Sequence, residues 1–471
     1  MHGNGSPGPS RPQWAGSHFC APCAFPSAMP EMSAPASDPV SLPQQATTAV
    51  AHGCDVLIVG GGPAGLSLAV SLAQAGFTAT VVERQPDAAL AEPAPDGREV
   101  ALTHPSADTL RRLGSWQRLL PHETGRIHAA QVHDGPVGGA QPLRLQTGRG
   151  PGHLGWIVPN HALRRTAHAA ALATPGVRLL AGRQVVHVAV SQDAAELECA
   201  PAGDGPDGAT PLRLRARLLV AADSRFSVTR RQLGIGAAST DFGRTVIVCR
   251  MRHALAGDGT AHECFGHART LAILPLPPDP GTGEPLCSVV VTTRTDDATA
   301  LLALPPADFA AQVQAQFGDR LGAMRLAGER HAYPLVAVYA RRFSGHRCAL
   351  LGDAAVGMHP VTAHGYNLGL AGVERLTAAL AHARDMGRDI GDADLLERHY
   401  AQAHHRHAWP LYEGTNAIVR LYTDDRPLPR LLRRVVLQGA RRLAPVQAAI
   451  VGQLMGTASE AGAWAPGPAG H

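Results

Sequence analysis

The stretch DVLIVGGGPAGLSLAVSLAQAGFTATVVER, residues 55–84, restricts the possible folds more than any other part of the chain. Val56-Leu57-Ile58-Val59 is a short, largely β-branched apolar run, the pattern of a strand covered on both faces. It leads directly into Gly60-Gly61-Gly62-Pro63-Ala64-Gly65, a G-x-G-x-x-G turn, then a helical segment from Leu66 to Ala75 that Gly76 stops. Thr78 to Val82 reads as a second strand and ends at Glu83, followed by Arg84. Each glycine answers a separate physical need. Gly60 permits the tight turn, Gly62 lets backbone approach a pyrophosphate, and Gly65 lets helix and strand pack closely. Phosphates are favoured at the helix N-terminus, where unpaired N–H groups and the helix dipole point. Glu83 stands eighteen residues past Gly65, where a carboxylate can accept the hydroxyls of an adenosine ribose. The same glycine spacing recurs from Gly3, Gly150 and Gly203, each time in a Pro/Gly-rich loop without a strand before or a helix after. Only at Gly60 do all the parts fall in order, and this unit predicts an ADP-containing dinucleotide as ligand.

A length of 471 residues suits two domains, or one large domain with an inserted subdomain. All 42 basic residues are arginine, so no Walker, Schiff-base or other catalytic lysine is available. A net charge of +4 on this length gives no argument for nucleic acid. The eight cysteines are scattered; only Cys20 and Cys23 have metal-like spacing, and one CxxC without a second pair is not a zinc site. Reduced thiols fit a cytoplasmic protein. Among 24 histidines, the neighbours His359 and His364, and His404-His405 with His407, lack a carboxylate to complete a ligand set, so no metal is expected.

Residues 1–53 are rich in Pro, Ser, Ala and Gly without periodicity, the composition of a disordered extension or of a start placed ahead of Met29 or Met32. Further on, Asp96-Gly97-Arg98-Glu99-Val100-Ala101-Leu102-Thr103 precedes a helix from about Pro105 to Leu120. A helix over Asn160–Ala173 is followed by strands near Val177–Leu180, Val185–Val190 and Leu212–Ala222, the last ending at Asp223-Ser224-Arg225. From Thr245 to about Val291 strand-rich segments alternate with Pro/Gly turns, which suggests a sheet-based insertion in a dinucleotide-binding domain. Cys348-Ala349-Leu350-Leu351 restores the buried-strand pattern, runs into Gly352-Asp353-Ala354-Ala355, and precedes a long helix ending near Arg384. The predicted architecture is α/β: a Rossmann-like dinucleotide-binding domain over 54–240 and 335–385, with part of the substrate sheet within 175–222. A substrate domain follows over 241–334, then C-terminal helices over 386–456 and a tail from 457. Asp353, at a strand's carboxyl end, suits the hydroxyls of a ribityl chain, and a helix cap is the other use of such an aspartate.

Three stretches together resemble one family: G-G-G-P-A-G with terminal Glu83, Asp223 after a strand, and G-D-A…H-P…G-Y-N-L-G-L from Gly352 to Leu370. They resemble the FAD-dependent aromatic hydroxylases of the p-hydroxybenzoate hydroxylase type. Asp96-x-Arg98-x-x-Ala101-Leu102-Thr103, Tyr333-Pro334-Leu335 and the His359–Leu370 run look most like the ubiquinone-biosynthesis hydroxylases, the UbiH/UbiM-type subgroup. The resemblance implies that Gly60, Gly62, Gly65, Glu83, Arg84, Arg98, Asp223, Gly352, Asp353, Pro360, Gly365, Tyr366 and Asn367 bind FAD, with Arg98 near the isoalloxazine. It implies NADH or NADPH as a transient electron donor, and O2 reacting to a flavin C4a-hydroperoxide that hydroxylates a hydrophobic quinone precursor such as demethoxyubiquinol. A ubiquinone-biosynthesis complex and the inner-membrane surface are the implied partners.

The alternatives are a hydroxylase of another phenolic metabolite, or a non-catalytic flavoprotein subunit of such a complex. Two departures bear on them: Ser224 stands where the family has glycine, and Thr362-Ala363-His364-Gly365 replaces A-G-Q-G. A second Rossmann unit, as in the disulfide reductases, is absent from the sequence, and the lysine that tryptophan halogenases need is missing. Leu428 to Arg442 mixes basic and apolar residues at helical spacing, which suits either an anionic membrane surface or a helix packed on the protein with solvated arginines.

Overall fold

The computed structural model describes residues 53–135, 141–147, 152–203, 211–266, 269–358, 364–423, 439–440 and 443–456. The expected N-terminal extension, the Cys20/Cys23 pair, Pro360 and most of the 428–442 segment lie outside them.

The Cys54–Val59 strand is the middle of an eight-stranded sheet, pairing in parallel with Ala79–Val82 on one side and Leu212–Ala221 on the other. Val177–Leu180 and Cys348–Leu350 extend the parallel part at either edge of that core. The apolar run at 56–59 is explained by cover on both faces. Val56 and Ile58 pack with Leu66, Leu68 and Leu72 of the Pro63–Gln74 helix and with the His364–Asp385 helix. Leu57 and Val59 pack instead with Val188 and Leu197 of the strands Arg183–Val190 and Ala195–Pro201, and with Leu214 of the neighbouring parallel strand. At about 25 cal/mol per Å² of apolar surface, burying each such side chain contributes about 1.5–3 kcal/mol.

The second sheet has nine strands, in the order Val356–Gly357, His331–Ala340, Ala237–His253, Leu286–Arg294, Thr270–Pro275, Thr260–Phe265, Ala129–Asp134 and Leu143–Gln146, with Met324–Leu326 beside Ala237–His253. One face carries Ile247, Cys249, Leu271, Ile273 and Val289 against Phe309, Val313 and Phe317 of the Pro306–Phe317 helix. The other face looks toward the cofactor-type domain: Arg250 reaches Glu99 at 2.7 Å and the Tyr333 hydroxyl donates to Asp96 O at 2.8 Å. A small third sheet joins Glu99–Leu102, Gly155–Pro159 and Gly125–Ile127.

The α/β architecture with an added sheet is as the sequence implies, with one correction. The strands within 177–221 all belong to the first sheet, because Arg183–Val190 and Ala195–Pro201 fold back antiparallel onto Leu212–Ala221. The early contribution to the second sheet comes instead from the Ala129–Asp134/Leu143–Gln146 hairpin, joined in parallel to Thr260–Phe265. That pairing spans more than a hundred residues and leaves no local pattern. The helix expected from Pro105 to Leu120 is shorter, His104–Arg112, capped by Thr103 and closed at Gly114 with φ 75°.

Candidate functional site

Gly60 has φ 109°, a conformation L side chains rarely adopt, and a Cβ there would lie 2.5 Å from Ala222 O and 2.8 Å from Asp223 Cα. The first and second motifs are therefore in backbone contact. A Cβ on Gly65 would lie 2.1 Å from Gly60 O, so only hydrogen fits between helix and turn. Gly62 is the opposite case: nothing lies within 4 Å of its added Cβ, its backbone is extended, and no side chain caps the helix it opens. A bare helix start beside open space is where a pyrophosphate fits.

Glu83 is fixed at the end of its strand by two backbone donors, Gly61 N to Oε2 at 2.6 Å and Gln85 N to Oε1 at 2.8 Å. Each carboxylate oxygen keeps a further lone pair for a ribose hydroxyl. Arg84 is exposed.

Asp223 uses Oδ2 to accept from Val228 N at 3.1 Å and from the Thr229 hydroxyl at 3.2 Å. Its Oδ1 is buried without a hydrogen-bond partner among the described residues. A free buried acceptor costs about 1–3 kcal/mol, which a bound hydroxyl or water would recover. Ser227 caps the short Val228–Gln232 helix through Arg230 N at 2.8 Å. Buried Arg230 donates to Ala354 O at 2.8 Å, which ties the second motif to the late one. Ser224, in place of the family's glycine, keeps the turn: its carbonyl accepts from Ser227 N at 3.0 Å, and it is not among the residues of positive φ. The departure therefore costs no backbone strain.

The late motif meets the first turn directly. Gly352 has φ 60°, with Ala64 Cβ 3.4 Å from its added Cβ, and the Cβ position of Gly369 lies 3.7 Å from both Ala64 Cβ and Gly352 Cα. Asp353 is half-exposed and receives Arg225 Nη2 at 3.0 Å and Nε at 3.3 Å, while Arg225 Nη1 donates to Val336 O. Arg225 carries no signal in the sequence, since it occupies a variable position of its motif. Asp353 is thus poised by a partly solvated ion pair of little intrinsic worth.

At the start of the His364–Asp385 helix, Gly365 has open space about it. Tyr366 is driven up to about 12 by burial, with Ser67 beside it acting the other way. The Asn367 side chain, expected as a polar edge for the cofactor, is occupied elsewhere: Nδ2 donates to Ala101 O at 2.9 Å and Oδ1 accepts from Thr103 N at 3.0 Å. Arg98 donates through Nε to Asp96 at 2.9 Å and lies over the Tyr333 ring at 5.2 Å. Asp96 also accepts from Asn160 at 2.7 Å. Burial works to raise its carboxyl, but the hydrogen bond and charge of Arg98 prevail and hold it low.

Next to this segment Glu99 is almost wholly buried; one oxygen meets Arg250 and the other has no partner among the described residues. Burial outweighs the arginine and pushes its carboxyl up to about 7. A cavity of about 740 Å³ lined by Arg126, His128, Trp156, His262, Ile273 and Leu321 includes none of the motif residues. Among the described residues no group of three or more His, Cys, Asp or Glu is arranged for a metal. His404 is buried, with Arg375 Nη1 at 3.3 Å from its Nδ1, and burial depresses it to about 3. His405 pairs with the Tyr339 hydroxyl at 2.8 Å.

Comparison with known proteins agrees with this geometry. The FAD binding domain family model matches residues 53–415. The chain is 42% identical over 406 residues to the ubiquinone hydroxylase UbiM of Neisseria meningitidis, covering 85% of this chain and 84% of that protein. It is 35% identical to the ubiquinone hydroxylase UbiL of Rhodospirillum rubrum, covering 90% and 94% respectively. The p-nitrophenol 4-monooxygenase PnpA of Pseudomonas putida superposes with a TM-score of 0.68 at 19% identity, over 86% of this chain and 99% of that one, a likeness of fold.

Proposed function

The chain belongs to the FAD binding domain family, and from that premise we propose that it is an NAD(P)H-using monooxygenase that hydroxylates the aromatic ring of a ubiquinone precursor, with demethoxyubiquinol as the candidate. The observation that carries the reading is the meeting of Ala64, Gly352 and Gly369, which brings the glycine turn and the late motif to one place in a chain 42% identical to a ubiquinone hydroxylase. Bound FAD would supply the redox chemistry, taking electrons from a nicotinamide nucleotide and activating O2.

The protein's own share is to bind, orient and keep dry. The open helix start at Gly62 would hold the pyrophosphate, Glu83 the adenosine ribose, and Asp353, now paired with Arg225, the ribityl hydroxyls. The apolar group Val246, Val248 and Leu335 on the second sheet, with the Tyr333 ring beside it, excludes water from the side of the sheet that faces the 96–101 segment. A polyprenyl substrate brings the enzyme to the inner-membrane surface, where association with other ubiquinone-biosynthesis proteins would hand the precursor on; no helix among the described residues is long and apolar enough to cross a membrane.

The test is complementation. Expression in a strain lacking its ubiquinone hydroxylase should restore O2-dependent ubiquinone synthesis, and the purified protein should be yellow. A yellow protein that restores nothing, and leaves the strain's quinone intermediates unchanged, removes this substrate reading.

A further inference from the structure

The cavity of about 740 Å³ that includes none of the motif residues lies at one end of the second sheet. What the sheet gives it, His262, Ile273 and Cys287, belongs to the face packed against the Pro306–Phe317 helix. Ile273 and Cys287 are part of that core, and the His262 ring meets Phe317 edge-on with centroids 5.0 Å apart. Val248 and Arg250, on the opposite face, are the residues that meet the 96–101 segment: a Cβ on Gly97 would lie 3.0 Å from Val248 Cγ2, and Arg250 holds Glu99. The space is therefore set apart from the side of the sheet turned to the cofactor-type domain.

Its walls are of two kinds. Pro275, Leu276, Pro277, Pro278, Leu286 and Leu321 form an apolar side. Proline fixes φ, so this side is shaped before anything binds and little ordering cost remains. The other side comes from the third sheet and the loop before Thr260–Phe265. Gly125 lets the two sides meet, since a Cβ there would lie 3.1 Å from Pro277 Cδ and 2.6 Å from Ile157 Cγ2. Gly259, at φ 75°, packs on the His128 ring, where a Cβ would come within 2.4 Å of Cδ2. The volume falls within the roughly 300–1,000 Å³ of small-molecule sites.

Arg126 supplies the charge. Its guanidinium lies over the Trp156 ring, Cζ 5.3 Å from the centroid, and its side chain makes no hydrogen bond or ion pair among the described residues. Asp258, the one carboxylate in the lining, accepts from Thr260 N at 3.0 Å. Glu123, Asp279 and Glu284, next to lining residues, hold Arg165, Arg252 and Arg325. His128 and His253 each donate Nδ1–H to a backbone carbonyl, of Gly152 at 3.4 Å and of Leu255 at 2.7 Å, and add no negative charge. A planar fork of unspent donors beside a rigid apolar wall selects a molecule with an anionic end and an apolar body. We propose that this cavity is a second binding site, distinct from the flavin site, for an amphipathic organic anion, with the charged group on Arg126 and the apolar body against the prolines. The inference is independent of the reaction proposed above.

The test uses the FAD-loaded full chain and two fluorescent ligands, 8-anilinonaphthalene-1-sulfonate and N-phenyl-1-naphthylamine, which share the apolar body and differ in the sulfonate. The wild type should bind the sulfonate at least about tenfold more tightly, the usual worth of hydrogen bonds between charged groups, while FAD stays bound. Arg126→Gln should bring the two affinities to within about twofold of each other by weakening the sulfonate alone. Ala256→Glu, which adds a carboxylate at another exposed lining position, should do the same with Arg126 intact. 2-Naphthoate should displace the sulfonate from the wild type, and the neutral 2-naphthamide should not. Equal affinity of the wild type for the pair overturns the proposal, as does a preference that survives either substitution. Release of FAD on saturation with the sulfonate would put the ligand in the cofactor site and overturns it too.

Discussion

Ala64 of the glycine turn lies in van der Waals contact with Gly352, its Cβ 3.4 Å from where a Gly352 side chain would start. Gly352 also sits at φ 60°. Gly352→Val combines a strained backbone, about 1–3 kcal/mol, with a branched side chain driven into the turn. The purified variant should carry less than half the FAD of the wild type, read from the ratio of flavin to protein absorbance.

The glycines of the first turn should separate stability from binding. Gly65→Ala puts a methyl 2.1 Å from Gly60 O and should cost about 3 kcal/mol of folding stability, visible as a lower denaturant midpoint. Gly62→Ala meets nothing within 4 Å and should melt like the wild type, yet bind FAD at least about tenfold more weakly because the methyl occupies the approach to the helix start. Equal loss of midpoint in both variants would contradict the assignment of the open side to phosphate.

Asp353→Asn removes a half-exposed ion pair with Arg225, worth under about 1 kcal/mol, so the midpoint should hardly move. FAD affinity should fall about ten- to a hundredfold if the carboxylate takes ribityl hydroxyls, since hydrogen bonds to a charged acceptor are the stronger ones. Fluorescence quenching of FAD on titration into apoprotein measures it. An unchanged dissociation constant would reduce Asp353 to a partner of Arg225.

The Glu99 carboxyl is raised from 4.5 to about 7 in the folded protein, burial prevailing over the charge of Arg250. Between those two values the folded state holds a proton that the unfolded state has released. Stability from this group is therefore complete below pH 4.5 and is lost as pH rises through 7, by an amount on the order of 2–3 kcal/mol. Denaturant midpoints at about pH 5 and pH 8 should show the wild type losing stability relative to Glu99→Gln. A difference that does not change with pH would mean Glu99 is ionised throughout.

The first motif was legible because each of its glycines answers a local constraint: a positive φ at Gly60, a clash at Gly65 and open space at Gly62 all follow from spacing along one strand, turn and helix. The buried strands at 56–59 and 348–350 were legible because cover on both faces leaves an uninterrupted apolar run. What escaped was non-local. The joining of Ala129–Asp134 to Thr260–Phe265 is written in neither segment alone. The use of Asn367 to hold Ala101 and Thr103 depends on two stretches far apart in the chain meeting.

The chain leaves the first sheet on Leu212–Ala221 and re-enters it on the adjacent strand, with Leu219 opposite Cys348. A polypeptide whose departure and return points are neighbours can have the second-sheet segment between them, 237–340, exchanged at one seam, provided that Asp223, Arg225 and Arg230, which lie past the seam but serve the first domain, stay with the host. The Ala129–Asp134/Leu143–Gln146 hairpin qualifies that freedom. It comes from the host side of the junction yet hydrogen-bonds the inserted sheet, so a transplanted insert leaves a mismatched border strand beside Thr260–Phe265 unless residues 129–146 travel with it. Chimeras carrying 237–340 together with 129–146 and the Val356–Gly357 edge strand should fold and take the donor's substrate; those carrying 237–340 alone should express poorly.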